Sequence, residues 1–140
     1  MQREQSSSAI AVQQRFREVN LHDARLISIS IEPLGAGDSA TVRLGLRDPD
    51  SRDMNGKAGE LSFVDCTWFS AHVDFWNKRR NGDAIALALV SFDANRAEAI
   101  YDQDAPRARF QPIGEFLFFK VALCSIGELE FLARDFVLTR

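Results

Sequence analysis

Apolar and polar residues alternate with period two through most of this chain, and that alternation predicts strands. Residues 24–32 put Ile27, Ile29 and Ile31 on one face and Ser28, Ser30 and Glu32 on the other, which is the pattern of a half-buried strand. Residues 33–38, with Gly35 and Gly37, favour a turn. Residues 41–47 alternate again, with Val42, Leu44 and Leu46 inward and Thr41, Arg43 and Arg47 outward, so the two runs read as a hairpin. Ahead of them the period changes. Val12, Phe16 and Val19 lie at i, i+4 and i+7, the narrow stripe of a surface helix. Ser8 suits its N-cap and Asn20 its stop, giving a helix over 9–19 with Gln13, Gln14, Arg15, Arg17 and Glu18 outward. Residues 1–7 read as a disordered tail and 8–140 as a single globular domain.

Past the polar loop at 48–59, residues 60–68 break the simple alternation. Leu61 and Phe63 share one parity, whereas Val64, Cys66 and Trp68 share the other. A bulge reconciles the two sets, and so does a strand buried on both faces. Phe69, Ala71, Val73 and Phe75 then alternate with Ser70, His72, Asp74 and Trp76, as in a strand, with a short helix as the alternative. Asn81-Gly82 is a strong two-residue hairpin turn, and residues 84–92 return with Ile85, Leu87 and Leu89 on one face, although their alanines also suit a helix. Residues 93–112 are polar, hold two prolines and form a long connection, with one helical turn near 96–100. The last hairpin is the most apolar part of the chain. Its arms are 115–125 and 128–138, and six of the eleven phenylalanines lie from Phe110 onward. Paired about Ile126-Gly127, one face collects Phe116, Phe118, Ala122, Cys124, Leu129, Phe131, Ala133 and Val137. The other collects Leu117, Phe119, Val121, Leu123, Leu132, Phe136 and Leu138. Lys120 and Asp135 would then share a face and pair on a diagonal. Such a hairpin belongs at the centre of a sheet. The fold class that follows is mainly β, an antiparallel sheet or sandwich with one N-terminal helix.

Composition narrows the function classes. A chain of 140 residues with 46% hydrophobic and 26% charged content can bury its own core without a staple. Its net charge of -3 disfavours nucleic-acid binding, because phosphate neutralisation needs a concentrated basic face. Lys78-Arg79-Arg80 is a short basic run and reads as a charged hairpin end. The two cysteines, Cys66 and Cys124, sit in apolar runs and read as small buried hydrophobes in a reducing compartment. A disulfide between them is the alternative. The polar N-terminus is no secretory leader, and no stretch is long and apolar enough to span a bilayer. The expectation is a cytoplasmic protein.

Candidate chemistry is sparse. His22-Asp23 could hold a metal or share a proton, but adjacent residues on an extended chain point apart. A helix-to-strand turn, with Asp23 accepting backbone N–H bonds, is the plainer reading. His72 and Asp74 stand two apart on a strand and so share a face. Zinc needs three or four ligands, and the chain has two histidines, so His22 or carboxylates would have to complete the set. Asp48, Asp50 and Asp53 suggest calcium, yet Arg52 and Asp53 stand where a calcium loop needs an oxygen and a glycine. No nucleophile elbow and no phosphate loop occur, and no cofactor is implied. These features favour a non-enzymatic protein-binding module. Its contact residues would be Asp48, Asp50, Asp53, Trp68 and Trp76, and its partner another protein of basic character. A ligand-binding or metal-binding domain around His72 and Asp74 is the rival, and a homo-oligomer subunit the third reading.

Leu21-His22-Asp23-Ala24 before an alternating strand, the middle strand Leu61-Ser62-Phe63, and the run Ile126-Gly127-Glu128-Leu129-Glu130-Phe131-Leu132-Ala133 together resemble small bacterial immunity proteins found beside polymorphic toxins. The likeness covers residues 20–138 and leaves 68–112 without a counterpart. It implies an antiparallel-sheet domain and protein binding, and it supplies no catalytic residues.

Overall fold

Alternation along the chain becomes two antiparallel sheets in the computed structural model, which describes residues 7–34, 39–47, 58–74, 84–91 and 116–139. Helix α1 spans Ser7–Arg17. The strands are β1 (Arg25–Leu34), β2 (Ser39–Arg47), β3 (Ala58–Cys66), β4 (Trp68–Val73), β5 (Ile85–Ser91), β6 (Leu117–Leu123), β7 (Gly127–Ala133) and β8 (Asp135–Thr139). The first sheet has the order β1-β2-β3-β8 and the second β4-β7-β6-β5. The predicted helix and the first hairpin are both present. Ile31 pairs with Val42, Ile29 with Leu44 and Leu26 with Leu46, with a bulge at Ile27.

The broken parity at 60–68 marks a change of sheet. β3 pairs with β8 in the first sheet and β4 with β7 in the second. Both chains of this ribbon therefore cross from sheet to sheet side by side. Thr67 N–H donates to the Leu132 carbonyl at 2.9 Å and Arg134 N–H to the Val64 carbonyl at 3.2 Å. Asp65 takes the left-handed conformation (φ 55°) at the crossing, and its carboxylate lies 3.7 Å from the Arg134 guanidinium. A bulge between the Ala40–Cys66 and Val42–Phe63 pairs accompanies the bend. A second junction joins the sheets where Arg25 bridges Ala84 and Ile85 N–H donates to the Ala24 carbonyl at 2.8 Å. Corners made by strands that switch sheets are how two sheets pack at a steep angle around one core.

Phenylalanines fill that core. Phe63 of the first sheet stacks on Phe131 of the second, with centroids 3.9 Å apart. Phe16 of α1 enters from the side and meets Phe119 at 5.0 Å and Phe136 at 4.9 Å, both edge-on. The stripe Val12–Phe16 is buried, with Ala9 beside it and Val19 packed against the cluster. Arg15 faces water, as expected, and from there also ties the helix to β8. It pairs with Asp135, donates to the Phe136 carbonyl at 3.1 Å and lies over the Phe136 ring.

Four expectations are corrected. The last hairpin turns about Ser125, so Phe119 faces Phe131 and Val121 faces Leu129. A slip of one residue exchanges the faces of an entire strand. Lys120 thus meets Glu128 at 2.9 Å, and Asp135 belongs to Arg15. Cys124 falls in the turn and is exposed, and both cysteines are free thiols. β4 and β5 are strands, as expected, but they form opposite edges of the second sheet, with the β6–β7 hairpin between them. A bulge after Ile85 also turns Leu87 and Leu89 to the outer face, away from Ile85. The Asn81-Gly82 turn and the 93–112 connection lie outside the described residues.

Candidate binding surface on the second sheet

The outer face of the second sheet is built by alternation on four strands. β4 contributes Trp68, Ser70 and His72, β7 Leu132, Glu130 and Glu128, β6 Phe118, Lys120 and Ala122, and β5 Leu89 and Leu87. Trp68 and Phe118 both stand opposite Leu132, one on each side of β7. Their rings lean together over it, with centroids 6.2 Å apart. Leu132 is buried beneath them, whereas Trp68 and Phe118 remain half-buried. This makes a fixed aromatic pad. Beside it, Glu128 and Glu130 are set against one amine, Lys120. Lys120 is held above its ordinary pKa, first by the hydrogen bond and charge of Glu128 and further by the charge of Glu130. Among the described residues, the middle of the face therefore carries two carboxylates to one amine, with Trp68, Leu132 and Phe118 at one end and Leu87 and Leu89 along β5.

Cys66, two residues before Trp68, is not a reactive group. Burial pushes its thiol up to about 11, and its Sγ donates to the Trp68 carbonyl at 3.1 Å. It stays a protonated thiol near neutrality.

His72 and Asp74 flank an open depression where β4 ends, lined also by Ala71, Val73, Ser125, Ile126 and Gly127. His22 does not join them. Its turn sits beside the start of β5, since Asp23 N–H donates to the Ile85 carbonyl at 2.9 Å, and β4 is the opposite edge of that sheet. Strand spacing puts the two histidines' backbones roughly 15 Å or more apart. His22 and Asp23 do meet each other, His22 Nδ1 lying 3.1 Å from Asp23 Oδ2. The argument that neighbours point apart fails here because Asp23 has φ 67° and the chain is turning. Among the described residues no group of three His, Cys, Asp or Glu side chains is placed to hold a metal. Asp48, Asp50, Asp53 and Trp76 lie outside the described residues.

Of the expected contact residues, then, Trp68 is placed on this surface. Phe118, Leu132, Lys120, Glu128 and Glu130 share that face with it, a grouping the expected hairpin register hid. The signal was present: a turn centred on a residue, such as Ser125, and not between two, gathers the three charged residues on one face and leaves the other wholly apolar. Among the described residues no helix is long and apolar enough to cross a membrane. Comparison with protein-family models, with curated proteins and with solved structures finds no match for this chain.

Proposed function

We propose that this chain is a non-enzymatic protein-binding module, an immunity or accessory protein of the cytoplasm that occludes a basic partner. The outer face of the second sheet around Trp68 is its contact surface, and Asp48, Asp50, Asp53 and Trp76 are its further contact residues. The observation that carries this reading is the half-buried Trp68–Phe118 pad over Leu132, set beside the Glu128–Glu130–Lys120 group. An aromatic anchor held rigid by a neighbour binds with little loss of side-chain freedom, and anchors of this kind dominate interface energies. The acidic strip beside it selects a partner of positive charge. The resemblance to toxin-immunity proteins points to the same kind of act.

Native mass spectrometry of the protein drawn gently from its source cells identifies the partner as one added polypeptide mass. Trp68→Ala should then weaken that complex about 30-fold or more, the scale of a hot spot worth about 2 kcal/mol. An unchanged affinity would remove Trp68 from the contact.

A further inference from the structure

We draw no further inference here: the strongest candidate, the exposed surface patch of Ile27, Ile29 and Ile31 on β1 at the margin of the first sheet, carries nothing because nothing in the structure shows what covers it.

Discussion

At Gly127 the backbone of β7 comes so close to β4 that no side chain fits. A Cβ placed there would lie 1.7 Å from the His72 carbonyl oxygen, and φ is +139°. The neighbouring atom is backbone and cannot swing aside. Gly127→Ala should therefore cost about 3 kcal/mol or more, read as a drop in the urea midpoint at constant slope. Gly45 has a milder version of the constraint, because its Cβ would meet the Ser28 hydroxyl, which can rotate. Cys66 gives a pH-dependent prediction. Below about pH 9 its thiol is protonated whether the chain is folded or not. Between about 9 and about 11 the unfolded chain releases that proton and the folded protein holds it, so folding loses stability as pH rises. At roughly 1.4 kcal/mol per unit, the loss approaches 2–3 kcal/mol. Urea unfolding at about pH 8 and about pH 10.5 should show it, and Cys66→Ala, whatever its own cost, should flatten that part of the pH dependence. An equal slope in the variant would assign the loss to other groups.

Helix α1 depends on one aromatic side chain at the element scale. Phe16 touches Phe63, Phe119 and Phe136, which belong to both sheets, so Phe16→Ala should cost about 3–5 kcal/mol. Breaking the exposed Arg15–Asp135 pair should cost under about 1 kcal/mol. At the ribbon corner, Asp65→Gly keeps the left-handed backbone available, whereas Asp65→Val does not and should cost about 1–2 kcal/mol more. Thermal unfolding of the pair gives that difference directly. The elements themselves were legible in the sequence wherever one period held without interruption: α1, β2 and β6 follow their hydrophobic stripes closely, whereas β1 is a strand as expected but bulges at Ile27 and leaves Ile27, Ile29 and Ile31 exposed, not half-buried. Errors arose where a single residue shifts the phase. Ser125 as the centre of the turn, the bulge after Ile85 and the corner at Asp65–Thr67 each exchange inside for outside downstream. Period two carries no memory of phase across such a point. Which strands become neighbours was less legible still. Trp68–Val73 and Ile85–Ser91 look like hairpin arms locally, and the β6–β7 hairpin, later in the chain, separates them.

For the whole molecule, a net charge of -3 is too small to steer a partner over long range, and at physiological salt the field of an exposed charge is screened within about 8 Å. Steering must come from local groups. On the outer face of the second sheet those are Glu128 and Glu130, offset by Lys120. The loop carboxylates Asp48, Asp50 and Asp53 are the second set that the proposed function invokes. Under the proposed function the aromatic pad would act differently, since its contribution would come after docking, when Trp68 and Phe118 lose their remaining water. The two kinds of residue should therefore separate kinetically. Neutralising Glu128 and Glu130 together as glutamine should slow association by a few-fold at low salt and flatten its salt dependence, with dissociation nearly unchanged. Asp48, Asp50 and Asp53 changed together to asparagine should behave the same way without unfolding the domain. Trp68→Ala should do the reverse, leaving association nearly intact and speeding dissociation at least tenfold. Surface plasmon resonance across a salt series with the captured partner distinguishes these outcomes. If the carboxylate variants alter only dissociation, the acidic strip lies inside a buried contact and does not steer. If none of the variants alters either rate, the partner docks elsewhere on the molecule and the outer face of the second sheet is not its binding surface.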